Sequence, residues 1–438
     1  MKQSVNIFWF RRDLRLEDNA GLYYALKDEL PVVPVFIFDK NILDKLEDKQ
    51  DRRVQFIHEA LLAIQQQLIT YGSSLEVYHG TPEEIYIHLV EKYGVAKVFT
   101  NHDYEPYATE RDNKIEHLLQ KAGASFHTFK DQVVFEKKEV VKDDGNPYTV
   151  FTPYSRKWKT TLNDFYLKSY PSTYYADNFY KQSAVAIPSL PEIGFKETER
   201  HFPAQSLNEE IVKKYSQQRD YPAVEGTSKM GVHLRFGTIS IRKLASRAKE
   251  LNETYLNELI WRDFYQMILW NFPQIGKDRA FKKEYDFIQW RNNEKEFEAW
   301  CNGQTGYPIV DAGMRELNAT GYMHNRVRMI VASFLTKHLL IDWRWGESYF
   351  AKKLMDFDFA ANNGGWQWAA GSGCDAAPYF RIFNPYLQTQ KFDPQLKYIN
   401  KWVPELNELN YPRPIIDHEY ARKRCLDVYG KALGKIKK

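Results

Sequence analysis

The sequence predicts two architectures in one chain. Residues 1–130 read as an α/β domain on a doubly wound parallel sheet, and residues 206–438 as an all-α domain, with 131–205 joining them. Three observations carry this. Short β-rich apolar runs alternate with amphipathic segments in the first part, which is the pattern of a parallel sheet with helical crossovers. Such runs become few after Phe129, and from about Ser206 the chain reads as helical to near its end. A chain of 438 residues also exceeds what a single core of ordinary size accommodates.

The strands come first. Val5–Phe10 is apolar and rich in β formers, followed by PVVPVFIF at Pro31–Phe38, Leu75–Tyr78, Val95–Thr100 and Ser125–Phe129. Between them, Val54–Tyr71 (VQFIHEALLAIQQQLITY) has the helical period. Thr81-Pro82-Glu83-Glu84 opens another helix, with a Thr cap, Pro in the first turn and acids at the positive end of the dipole. Neither GxGxxG nor GxxxxGK[ST] occurs here, which disfavours a standard dinucleotide or NTP site. From Asp131 to His201 the pattern decays. Prolines 147, 153, 171, 188 and 191 interrupt it, yet Tyr and Phe are too frequent for a disordered tether, so an ordered linker is expected. The tail, Ala421–Lys438, reads as a basic, solvated helix.

Composition narrows the class. Aromatic residues make up 15% of the chain and include 11 Trp, which points to stacking surfaces. A net charge of +4 permits a nucleic-acid partner without requiring one. Cys301, Cys374 and Cys425 match no zinc or disulfide spacing, so a reducing cytoplasm is expected. No apolar run has the length of a membrane span or a signal peptide.

Four stretches of the helical half carry chemistry. In YSQQRDYPAVEGTSKMG (Tyr215–Gly231), a Gly, two small hydroxyl residues and a Lys form either an anion nest or an ordinary helix cap. In NELIWRDFY (Asn257–Tyr265), Glu258, Trp261, Arg262 and Tyr265 fall on one helix face, which is either a solvated stripe with a Glu–Arg pair or a pocket wall. In GYMHNRVRMIVASF (Gly321–Phe334), Asn325, Arg328 and Met329 share a face, Arg326 points elsewhere, and Arg328 has Asp356 or Asp358 as possible partners. His324 lacks a neighbouring ligand residue and reads as structural; no metal site is expected. The fourth stretch, DFDFAANNGGWQWAAGSGCDAAPYFRIFN (Asp356–Asn384), sets two acids, paired Asn and paired Gly among aromatics. Asn363-Gly364-Gly365 marks a turn or a close backbone approach. Trp366 and Trp368, two apart, face different sides of a helix. The stretch reads as a helix–turn–helix with an aromatic core, or as the wall of a pocket for a flat, polar cofactor.

These stretches, with WFRRDLRLEDN (Trp9–Asn19), FTPY (Phe151–Tyr154) and GQTGYPIVDAGMRELNATGYMHNRVRM (Gly303–Met329), resemble the photolyase/cryptochrome family. The resemblance is most specific to class I cyclobutane pyrimidine dimer DNA photolyases and covers nearly the whole chain. It implies an antenna domain, a linker and a helical FAD- and DNA-binding domain. It implies that light-excited reduced FAD passes an electron to a pyrimidine dimer flipped out of the duplex. By matched position, Tyr215, Thr227, Ser228, Lys229, Met230 and Gly231 would hold the FAD phosphates, Gly231 standing where relatives often have Ser. Tyr255, where some relatives have Trp, would join Arg262, Arg328, Asp356 and Asp358 around the flavin, with Arg328–Asp356 an ion pair. Asn362 would face the flavin N5. Trp261 and Trp368 would flank the dimer, Glu258 would hydrogen-bond a base, and Asn325, Met329, Arg262 and Tyr265 would complete the lesion pocket. Arg219, Arg326 and Gln388 match DNA-contact positions. Trp366, Trp343 and Trp290 match the electron relay. The implied protein is a monomer acting on damaged DNA.

A second, antenna chromophore is left open among folate, deazaflavin, another flavin or none, because Pro106-Tyr107-Ala108 stands where folate-binding relatives carry Asn-Glu. The alternative is a blue-light receptor of the cryptochrome type. A photolyase for the (6-4) lesion is disfavoured, since Asn325 and Met329 replace the His pair expected there.

Overall fold

The computed structural model describes residues 3–199 and 202–434. The chain divides into two compact units. The first comprises the chain through Glu136, Leu162–Leu207 and Lys229–Lys249; the second comprises Lys137–Thr161, Asn208–Ser228 and the chain from Glu250 onward. The stretch 131–205 is thus shared between the two units.

In the first unit, strands β1 (Ser4–Phe10), β2 (Val32–Asp39), β3 (Glu76–Gly80), β4 (Gly94–Asn101) and β5 (Ser125–Phe129) form one sheet in the order β3-β2-β1-β4-β5. Every pairing is parallel. The main crossover helices are α1 (Ala20–Lys27), α2 (Arg52–Thr70), α3 (Pro82–Lys92) and α4 (Pro106–Lys121). The central strands read as unbroken apolar runs because such a sheet is buried on both faces. All eight residues of β2 are buried, and Ile7, Val33, Val35 and Tyr86 are fully enclosed in one core. Thr81 and Glu84 close a capping box at α3.

A buried charge network ties later residues to this unit. Arg242 bonds Asp18 at 2.9 Å and Asp131 at 2.8 Å, and Arg15 reaches the other oxygen of Asp131 at 2.7 Å. Burial opposes ionisation of Asp131, but the two guanidiniums overcome it and hold its pKa below the usual carboxylate value.

The second unit is helical. The helices that position the site are α5 (Phe151–Thr161), α6 (Glu253–Asn271), α7 (Pro308–Thr320), α8 (Asn325–Ser333), α9 (Trp343–Lys353), α10 (Phe359–Ala370), α11 (Pro385–Phe392) and α12 (His418–Ala432). One of its apolar clusters runs through Trp300, Val327, Leu335, Trp343, Phe350 and Trp366. The expected tail helix is α12, and the last four residues of that stretch lie outside the described ones. Among the described residues no helix is long and apolar enough to cross a membrane.

Candidate active site

The face of α6 is built as its spacing predicts. Asn252 caps the helix through the N–H groups of Thr254 and Tyr255, while Leu259, Ile260 and Phe264 turn into the core. Glu258, Trp261, Arg262 and Tyr265 are left half-buried on the opposite side. Glu258 pairs with Arg219. Its pKa is raised, because burial outweighs the stabilising charge of Arg219. Trp261 lies in an aromatic group, with Tyr265 stacked at 5.5 Å and Phe264 edge-on at 5.6 Å between centroids.

Helix α10 runs unbroken through Asn363-Gly364-Gly365. This corrects the turn, and with it the helix–turn–helix; the close approach is what the structure contains. A Cβ on Gly364 would overlap the Tyr265 ring, whereas one on Gly365 would meet nothing within 4 Å. Gly346 of α9 is likewise pressed against the ring of Trp366. Two interior glycines, each less favourable in a helix than Ala by about 1 kcal/mol, thus let aromatic rings reach the backbone. Trp366 is buried at 2% exposure, and Trp368 is half-buried. Trp368 and Tyr265 line a hollow of about 350 Å³, partly open to solvent, with Phe281, Gln367, Cys374 and Asp375. Glu258, Trp261 and Asn325 are not part of that hollow's lining, and Tyr265 is the residue common to it and to the Trp261 cluster.

The charged pairs resolve two sequence alternatives. Arg328 bonds both oxygens of Asp356, at 2.9 and 3.1 Å, and donates through Nε to the Met323 carbonyl at 2.7 Å. Burial alone would lower the Arg328 pKa, but Asp356 raises it. Asp358 instead caps α10 at Ala361 and accepts from Gln266 at 3.0 Å. Asn362 donates its amide to the Glu347 carbonyl at 3.1 Å.

A set of hydroxyl groups gathers where phosphate ligands were expected. Ser228 Oγ lies 2.8 Å from the Tyr255 hydroxyl, Thr227 Oγ1 lies 3.1 Å from that of Tyr322, and Tyr215 packs edge-on to Tyr255 at 5.1 Å. The boundary between the units falls between Ser228 and Lys229. In the first unit, Lys229 takes a left-handed φ of 54°, Met230 is buried, and Gly231 opens the short helix Gly231–Phe236.

Asn325 is exposed at the start of α8, and Arg326 bonds Asp220 at 2.7 Å and touches the Met329 sulfur at 3.6 Å. Gln388 is half-buried on α11. His324 is a helix cap: its Nδ1 accepts from the Arg326 N–H at 3.2 Å, and burial pushes its pKa down to about 4. Trp366 and Trp343 share the large apolar cluster and Trp290 packs against it. The nearest rings to Trp366 are Phe350 at 5.0 Å and Trp300 at 6.1 Å; Trp290 meets Tyr429 edge-on at 5.9 Å.

Three residues were not singled out from the sequence. Phe151 stacks on Trp261, Tyr322 completes the hydroxyl set, and Glu347 meets Asn362. Phe151 and Tyr322 lie inside motifs that could have flagged them; Glu347 had no local signal.

The chain matches two family models. Residues 6–172 match DNA photolyase, and residues 255–410 match the FAD binding domain of DNA photolyase. It is 38% identical to the deoxyribodipyrimidine photo-lyase of Halobacterium salinarum, over 98% of this chain and 100% of that protein. The chain belongs to the photolyase/cryptochrome family. Among solved members of that family it resembles a bacterial class III photolyase from Agrobacterium tumefaciens, with a TM-score of 0.86 and 34% identity over 100% of this chain and 99% of that one. It also resembles an archaeal photolyase from Sulfolobus tokodaii solved with two FAD molecules, with a TM-score of 0.81 and 34% identity over 98% of this chain and 100% of that one. The helical unit therefore contains the family's FAD-binding domain, on a fold that the family shares.

Proposed function

We propose that this chain is a deoxyribodipyrimidine photo-lyase that repairs cyclobutane pyrimidine dimers in DNA by light-driven electron transfer. The observation that carries the reading is the α6 face. An acid with a raised pKa and an aromatic platform stand half-buried on one side of a helix whose other side is core.

The residues present fit FAD. Clustered hydroxyls suit phosphates, the Arg328–Asp356 pair and Asn362 suit a polar ring edge, and Asn257 Oδ1 on α6 is buried without a hydrogen-bond partner. Tyr215, Thr227 and Ser228 would hold the phosphates, with Lys229, Met230 and Gly231 next in sequence. Tyr255, Arg262, Arg328, Asp356, Asp358 and Asn362 would surround the isoalloxazine. Reduced FAD, when bound, supplies the photoexcited electron that opens the cyclobutane ring.

The chain's own residues do the rest. Trp261 and Trp368 receive the two bases of an extruded dimer, with Tyr265 between them, Asn325 at its other edge and Met329 beneath. Glu258 hydrogen-bonds a base where charge develops during splitting. Arg219 holds Glu258 in this state, and a DNA phosphate competes for the same guanidinium, so phosphate binding would free the carboxyl for the base. Arg326 and Gln388 serve the backbone. Trp366, Trp343 and Trp290 conduct an electron inward when the flavin is oxidised. The protein acts as a monomer on damaged DNA. The test is light-dependent loss of dimers from a defined oligonucleotide, with the receptor reading favoured if dimers persist.

A further inference from the structure

Glu347 lies on α9 immediately after Gly346, whose contact with Trp366 draws α9 against α10. That approach sets Glu347 against the preceding turn of α10, at Asn362 and Asn363. The Asn362 amide nitrogen donates to the Glu347 backbone carbonyl at 3.1 Å, and the side-chain amides of Asn362 and Asn363 favour the charged form of the carboxyl group without offsetting its burial. A backbone carbonyl only accepts, so this contact fixes which end of the Asn362 amide points at Glu347. Oε1 of Glu347 is buried with no hydrogen-bond partner. An ionised carboxylate with an unsatisfied oxygen in such a place is costly, and a protonated one much less so.

We propose that Glu347 is a positioning residue for the flavin: its backbone carbonyl holds the Asn362 amide nitrogen and its buried side chain backs that amide, so that Asn362 presents Oδ1 to the flavin edge. The proposal rests on the reading that Asn362 faces the flavin. Burial pushes the Glu347 pKa up to about 7. Asp278 shares its sign and reinforces the shift, and Arg344 opposes it. Arg344 is itself engaged by Asp286 at 2.5 Å and Asp342 at 3.1 Å, which limits its pull. A raised acid pKa means that the neutral form prevails below about 7 and the charge appears above it.

The experiment uses the FAD-loaded protein and three variants: Glu347→Gln, which stays neutral and keeps an acceptor, Glu347→Leu, which keeps neither acceptor nor proton, and Asn362→Asp. Infrared difference spectra between about pH 6 and about pH 8 report protonated carboxyl groups directly, whatever the flavin does. A carboxylic C=O band that titrates near neutrality in the parent and is missing in Glu347→Gln is the expected result. The ratio of reduced to oxidised flavin at a fixed applied potential is then followed against pH. Uptake of the flavin's own N5 proton lowers this ratio with rising pH in every variant; in the parent it should fall more steeply above neutrality, by up to about a further tenfold per pH unit. Glu347→Gln should lose that break and keep the parent's low-pH ratio, while Glu347→Leu should lose both. The proposal is overturned if Glu347→Gln shows the parent's break or if no carboxyl band is lost. If the band is lost but Asn362→Asp leaves the flavin ratio unchanged, the reading of Asn362 at the flavin edge fails, and the proposal with it.

Discussion

Phe151 lies flat on Trp261, with ring centroids 3.7 Å apart and planes 4° from parallel. One face of the indole is thereby covered by the protein's own ring, and the remaining surface is held in a fixed orientation. Aromatic pairs contribute about 0.5–1.5 kcal/mol beyond their area. Phe151→Ala should therefore weaken dimer binding by about two- to tenfold without loss of FAD. Titration of dimer-containing and intact duplexes checks this, and an unchanged preference would remove Phe151 from the account.

The relay is tested at Trp343, which is 2% exposed and shares a core with Trp366. Trp343→Phe keeps an aromatic ring in the core but raises the cost of removing an electron from it. Photoreduction of oxidised flavin should slow by an order of magnitude or more, while chemically reduced enzyme still repairs. Equal photoreduction rates in variant and parent would contradict the assignment.

Asn362→Asp exchanges an amide that donates to Glu347 for a second acid beside a buried carboxyl. Like charges at this distance disfavour ionisation, and a negative charge there disfavours a reduced, anionic flavin. Illumination with an external thiol should leave the variant with less fully reduced flavin than the parent. Identical spectra would show that the flavin does not sense position 362.

The two glycines of α10 give opposite stability predictions. Gly364→Ala drives a methyl into the Tyr265 ring and should cost about 1–3 kcal/mol. Gly365→Ala meets nothing within 4 Å and should stabilise the helix by up to about 1 kcal/mol. Thermal unfolding of both variants decides, and the same sign of change in both would refute the packing explanation.

What was legible in the sequence was what local pattern encodes. The central strands β1 and β2 were visible because both sheet faces are buried there, so each reads as an apolar run rather than an alternation. The capping box at Thr81 is a matter of four consecutive residues. What was hidden depends on distant partners. Whether Gly364 makes a turn or a close approach is decided by Tyr265, far away in sequence. The return of Lys229–Lys249 to the sheet unit is sealed by Arg242 with Asp18 and Asp131, a pairing that no local spacing reveals. The face of α6 was legible from its helical period, but its occupation by Phe151 and Arg219 was not.

The most direct test of the central claim compares the parent with Trp261→Ala and Trp368→Ala on dimer-containing and intact DNA, each with FAD bound. A base–aromatic stack contributes roughly 1–3 kcal/mol, so each variant should lose about tenfold or more in its preference for dimer DNA. Binding to intact DNA, held by phosphate contacts, should change little. The parent should remove dimers in light and not in darkness, and the variants should do so less efficiently. A parent that neither prefers dimer DNA nor repairs it in light would contradict the pocket and leave the receptor reading in its place.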